Sequence, residues 1–134
     1  MLDSSPDDDL YIEAMTGIGD VYDAREQFNV AIKYYEKAFL KAEQINNRSS
    51  MTSLCFRIAL IYDDIGDIEN AVIYYKKNIE ISDDYNENAG LSSSYANIAA
   101  ILEESDNYSE SIEFYEKSLE VDRLTGNLEG LSLT

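Results

Sequence analysis

The chain has 134 residues, 45% hydrophobic and 28% charged, the size of one modest domain. Ten basic against 27 acidic residues leave a formal net charge of −17, which argues against nucleic acid and anionic membranes as partners, because both attract basic patches. With no histidine and one cysteine, the chain cannot build an internal disulfide, a multi-thiolate zinc site or a histidine-activated nucleophile, and it fits a reducing, cytoplasmic setting.

The predicted elements are all helical. The opening MLDSSPDDDL is acidic and lacks an apolar core, unlike a targeting segment. No window approaches the roughly 18 apolar residues of a membrane span. Pro6 and the acids Asp7, Asp8 and Asp9 suit a helix start. Apolar or small residues at Leu10, Ala14, Met15, Ile18, Gly19 and Val21–Tyr22 follow at helical spacing. After a break at 25–27, the stripe Phe28, Ala31, Ile32, Tyr35, Ala38, Phe39 and Ala42 predicts a second helix to about Ile45.

A polar turn at 46–50 leads to Met51, Leu54, Cys55, Ile58, Ala59, Ile61 and Tyr62. Gly66–Asp67 then turns, with Asp67 as the expected N-cap, into Ile68, Ala71, Val72, Tyr75 and Ile79. A third pair follows: Leu91, Tyr95, Ile98, Ala99 and Leu102, then Tyr108, Ile112, Tyr115 and Leu119. Asn107 and Glu110 make a capping-box-like start between them. Residues 125–128 resemble the turn at 46–48, so EGLSLT reads as the start of a seventh helix. Arrays finish with a helix that is polar on its outer face, so this ending suggests a segment of a longer array; the alternative is that the stub is itself a short cap.

The pairs are copies of one unit. AIKYYEKA begins at Ala31, AVIYYKKN at Ala71 and SIEFYEKS at Ser111, 40 residues apart each time. A fixed period of this size marks a solenoid or array. The pattern resembles the tetratricopeptide repeat. First-helix apolar positions fall on Met15, Ile18 and Tyr22, on Cys55, Ile58 and Tyr62, and on Tyr95, Ile98 and Leu102. The small crossing residue falls on Gly19, Ala59 and Ala99. Its second-helix signature falls on Phe28, Ala31, Tyr35 and Ala38, on Ile68, Ala71, Tyr75 and Asn78, and on Tyr108, Ser111, Tyr115 and Ser118. The usual proline near the end of the unit is missing; Glu43, Asp83 and Arg123 stand there. The 40-residue period, longer than the commoner one, is similar to units of kinesin light chain, spindle-orientation adaptors and bacterial peptide receptors.

The resemblance implies an all-α fold, a right-handed α-solenoid of about three helix-turn-helix hairpins at 8–45, 48–85 and 88–125 plus a partial seventh helix at 126–134. It also implies a concave groove lined by the first helices. By position this groove takes Glu13, Thr16, Asp20 and Asp23, then Ser53, Phe56, Arg57, Leu60, Asp63 and Asp64, then Ser93, Ala96, Asn97, Ala100, Glu103 and Glu104. Asn97 could pair with a peptide backbone through its carboxamide; equally it could be a solvated polar residue, since Gly17 and Arg57 stand at the equivalent positions. Phe56 is an anchor if it faces the groove and core if the register is shifted by one turn. Asp20, Asp23, Asp63, Asp64, Glu103 and Glu104 form a ladder that would favour Lys/Arg-bearing partners, or else a solvated face. Arg57 is the single cation in this set, so capture of a C-terminal carboxylate is disfavoured.

The tyrosines read as core: Tyr35, Tyr75 and Tyr115 at a stacking position, with Tyr34, Tyr74 and Phe114 filling the joint to the next unit. No catalytic constellation, phosphate loop, calcium-loop spacing, metal site or cofactor site is visible. The reading is a non-enzymatic scaffold that binds a peptide or partner helix in an acidic groove. The alternatives are a self-associating module, pairing through Leu128, Leu131 and Leu133 as a homodimer, and a regulatory segment of a larger signalling or transcription regulator.

Overall fold

The computed structural model describes residues 6–83 and 90–125; the expected seventh helix and the apolar end at Leu128, Leu131 and Leu133 lie outside the described residues. Six helices run in order: α1 (Pro6–Ala24), α2 (Phe28–Gln44), α3 (Arg48–Asp64), α4 (Ile68–Asp83), α5 (Leu91–Glu104) and α6 (Tyr108–Thr125). They are all-α helical hairpins. The chain divides into two compact units, one ending at Asn88 and holding α1–α4, the other beginning at Ala89 and holding α5–α6.

The turns repeat as faithfully as the helices. Glu26, Gly66 and Asp106, each 40 residues apart, all take positive φ, at 61°, 86° and 65°; Asn46 does the same after α2, at 58°. The next residue donates its amide five residues back, as in Gln27 to the Tyr22 carbonyl (2.9 Å), Asp67 to Tyr62 (2.8 Å) and Asn107 to Leu102 (2.8 Å). This is the Schellman closure, which satisfies the last carbonyls of a helix through one left-handed residue. Entry into the next helix is more varied. Asn47 accepts from the Ser50 amide and Asp67 from the Asn70 amide, whereas Gln27 makes no side-chain cap.

Within the first unit, α2 and α3 share one core. Ile32, Tyr35, Ala38 and Ala42 pack with Leu54, Ile58 and Ile61. Each hairpin is also pinned internally by its aromatics. Tyr22 stacks on Tyr34 with ring centres 5.7 Å apart, and Tyr62 on Tyr74 at 5.8 Å. In the third hairpin position 102 is leucine, and Tyr95 meets Phe114 instead, at 6.0 Å. These rings pair within their own hairpins. A lysine three places on sits over each, Lys37 on Tyr34, Lys77 on Tyr74 and Lys117 on Phe114, at 5.2–5.3 Å. At the far end of the second and third hairpins a polar latch joins the helices. Buried Asn78 donates to the Thr52 carbonyl (2.7 Å) and Ser118 to the Ser92 carbonyl (3.0 Å).

The left-handed turn position gives a paired test. No atom lies within 4 Å of a Cβ built on Gly66, so Gly66→Ala carries a backbone cost alone, about 1 kcal/mol. Glu26→Gly relieves the same strain in the first hairpin and stabilises it by up to about 1 kcal/mol. Urea denaturation should show the two midpoints moving in opposite directions.

Candidate functional site

On the first unit the inner face is built by α1 and α3. Helical spacing puts Asp9, Glu13, Thr16 and Asp20 in one row on α1, and the start of α3 supplies Asn47, Ser50 and Ser53 opposite. Between them lies an open cleft of about 690 Å³. Sequence reasoning placed Glu13, Thr16, Asp20 and Ser53 here. It missed Asp9, Asn47 and Ser50; the spacing from Asp9 to Glu13 carried the signal for the first.

Further along the same face, Asp20 and Arg57 meet. Arg57 Nη1 lies 2.7 Å from Asp20 Oδ1, and both side chains are partly exposed. Tyr35 donates its hydroxyl to the same oxygen. Burial above all, then the Asp20 bond and charge, pushes the Tyr35 phenol well above its ordinary value, so it stays a donor. Arg57 Nε is buried and has no partner. The groove's one predicted cation is therefore bound to one of its acids.

Around this pair the acids crowd. The Asp23 carboxyl is raised by burial first, then by the negative charges of Asp64 and Asp20, while Arg57 opposes the shift. Asp63 accepts from the Tyr75 hydroxyl (3.1 Å). Phe56 is half-buried, its ring centre 6.0 Å from that of Tyr75, and Leu60 is exposed beside it. The structure thus brings Asp20, Asp23, Arg57 and Asp64 together.

In the second unit, Glu103 and Glu104 are exposed on α5, and Asn97 and Ala100 are half-buried. Glu103 accepts from the Tyr115 hydroxyl (3.3 Å). Tyr115 itself is 42% exposed, against 1% for Tyr35 and 0% for Tyr75, so the core reading of this tyrosine is corrected. Cys55, fully buried, has its thiol pushed up to about 12 by burial, and it acts as a small apolar side chain.

The tyrosine-to-acid bond differs in the first hairpin. Tyr75 and Tyr115 reach acids 12 residues before them, while Tyr35 reaches Asp20, 15 before it. Gly19 accounts for this. A Cβ there would sit 2.6 Å from Tyr35 Cε1, so the ring lies against bare backbone, where the other hairpins have Ala59 and Ala99.

With fold and site described, the relationship to known proteins follows. The tetratricopeptide repeat profile matches residues 49–123, and a second profile of that name matches 12–40. The chain belongs to the tetratricopeptide repeat family. As such it is a protein-interaction module. It is similar in structure to the TPR domain of Arabidopsis FLU, with TM-score 0.75 and 18% identity, over 89% of this chain and 98% of that one. At that identity the likeness is one of fold. No curated protein matches the sequence. Among the described residues, no helix is long and apolar enough to cross a membrane, and no group of side chains is placed to hold a metal ion.

Two outcomes test this geometry. Gly19→Ala must displace the Tyr35 ring and should cost about 1–3 kcal/mol by urea denaturation, with a changed tyrosine near-UV signal. Asp23→Asn removes a carboxylate whose ionisation the fold opposes. A group raised in the folded state contributes stability that is lost as pH rises through its folded value. The variant should therefore be more stable than the parent at neutral pH, by a margin that shrinks in acid and in high salt.

Proposed function

We propose that this TPR module is a non-enzymatic scaffold that takes a Lys/Arg-bearing peptide or helix on the acidic inner face of its first helices. The observation that carries the reading is the scarcity of cations on the first helices. Helices α1, α3 and α5 hold ten acids against Arg48 and Arg57, whereas α2, α4 and α6 hold ten acids against seven of the ten basic residues. Arg57 is already paired to Asp20, so the free charge of the inner face is negative. A like-signed surface in an open cleft attracts opposite charge and speeds encounter in a salt-dependent way.

The roles divide by chemistry. Asp9, Glu13 and Asp64 are exposed and offer carboxylates to cationic side chains. Asp63, Glu103 and Glu104 extend the same offer along their helices. Leu60 and the edge of Phe56 add apolar contact, and Asn97 and Ala100 bring a carboxamide and a small surface on α5. Asp20 acts through Arg57 and Tyr35, holding the face in shape.

The test is titration of a fluorescent Lys/Arg-rich peptide against the chain, read by anisotropy. Binding should weaken steadily with added salt. The exposed substitutions Glu13→Lys and Asp64→Lys together should weaken it about tenfold or more, at about 1.4 kcal/mol per decade. Affinity that ignores both salt and these substitutions would sink the acidic-face reading.

A further inference from the structure

Gly17 stands in the interior of α1, where glycine destabilises a helix relative to alanine. Nothing in the packing asks for it. Its φ is not positive, and no atom lies within 4 Å of a Cβ built there. Gly19, two residues on, is the opposite case, with the Tyr35 ring in the space of its missing Cβ. The counterparts of Gly17 in the repeat are Arg57 and Asn97, both with long polar side chains. Gly17 thus leaves bare main chain on the wall of the cleft between α1 and α3, where a longer side chain would reach into the open space.

The rest of the lining says what comes to that space. Asp9, Glu13 and Asp20 line the cleft, and no lysine or arginine does. Asp20 is engaged by Arg57 and Tyr35, which leaves the exposed Asp9 and Glu13 to receive cations. With Gly17 these two form a row at four-residue spacing, about 6 Å per step along the helix. Alternate residues of an extended chain repeat at about 6.6 Å, nearly the same step. On the opposite wall stand the hydroxyls of Ser49, Ser50 and Ser53, each able to donate and to accept. An extended chain brings amides and carbonyls that need such partners, whereas a helix has satisfied its own.

We propose that the cleft takes an extended segment with Lys or Arg at alternate positions, its cations on Asp9 and Glu13 and its main chain settled on α1 at Gly17. This rests on the acidic-face reading above and gives it a conformation, a register and a determining residue. Gly17 is the specificity residue: it forgoes helix stability and keeps the wall clear.

The experiment sets stability against binding in the 134-residue chain. Gly17→Ala and Gly17→Gln should both raise the urea midpoint, because each is a better helix former placed in open space. Two fluorescent peptides of equal charge are then titrated by anisotropy. One alternates lysine with threonine and favours an extended form; the other sets its lysines one helical turn apart among alanines and favours a helix. The alternating peptide should bind the parent more tightly. Gly17→Gln should weaken it about tenfold or more, and Gly17→Ala by less. Parent-like affinity in Gly17→Gln, with Glu13→Lys plus Asp64→Lys still weakening binding, overturns this proposal and leaves the acidic-face reading standing. Affinity that ignores both salt and the charge substitutions removes the two together. Tighter binding of the alanine-spaced peptide overturns the extended form. A lowered urea midpoint in Gly17→Ala overturns the role of Gly17, since the fold itself would then need the glycine.

Discussion

The contact on which the first hairpin depends is the Tyr35 ring of its second helix laid across Gly19 of its first. Tyr75 and Tyr115 hold the same repeat position in hairpins whose crossing residues are Ala59 and Ala99. A larger residue at the crossing would hold the helices apart, because buried side chains pack at near-crystalline density. With the crossing closed, the ring's edge is sealed and its hydroxyl emerges on the inner face. A buried phenol needs a partner there, and a carboxylate of the first helix provides it. The same contact therefore sets the hairpin angle and orders the inner acids.

That coupling changes how the acids should be understood. A row of carboxylates at equivalent positions looks like a binding surface when seen in sequence alone. In the fold, Asp20, Asp63 and Glu103 each accept a tyrosine hydroxyl, so part of the row is engaged within its own hairpin. The remaining carboxylates, with Asp9, Glu13 and Asp64 on the open side, carry charge that the fold does not consume. Burial first, then the charges of Asp64 and Asp20, raises the Asp23 carboxyl. Four of the lysines on the other helices, Lys37, Lys41, Lys77 and Lys117, lie instead over aromatic rings.

The fold was legible because three independent signals share one period: the aromatic pair, the small crossing residue and the turn. Even the left-handed turn residues recur at 26, 66 and 106, although only one of them is glycine, so composition alone would have hidden two of the three. The site was legible only in part. Helical spacing put Glu13, Thr16, Asp20 and Ser53 on the open cleft, because a face follows from period. What each side chain pairs with did not follow. Arg57 and Asp20 are 37 residues apart, and nothing in a 40-residue repeat says that a unique arginine in one copy will meet a unique aspartate in the preceding one. The pairing of Tyr22, Tyr62 and Tyr95 within their own hairpins was likewise invisible, since period gives a face and leaves the neighbour open.

The first hairpin shows how one missing methyl group redirects a site. Without a Cβ at position 19, the Tyr35 ring sits against the backbone of α1 and its hydroxyl engages Asp20 in place of Asp23. Asp20 has no acidic counterpart at Leu60 or Ala100, and Arg57 has no cationic one at Gly17 or Asn97. The two exceptional residues meet, and the tyrosine holds the aspartate that holds the arginine. Had Tyr35 bonded to Asp23 as its repeats do, Asp20 would lack this anchor and Arg57 would be freer to project its charge into the groove. The departures from the repeat thus act together. They tie the groove's one predicted cation to Asp20, beside an Asp23 carboxyl raised by burial and by the charges of Asp64 and Asp20.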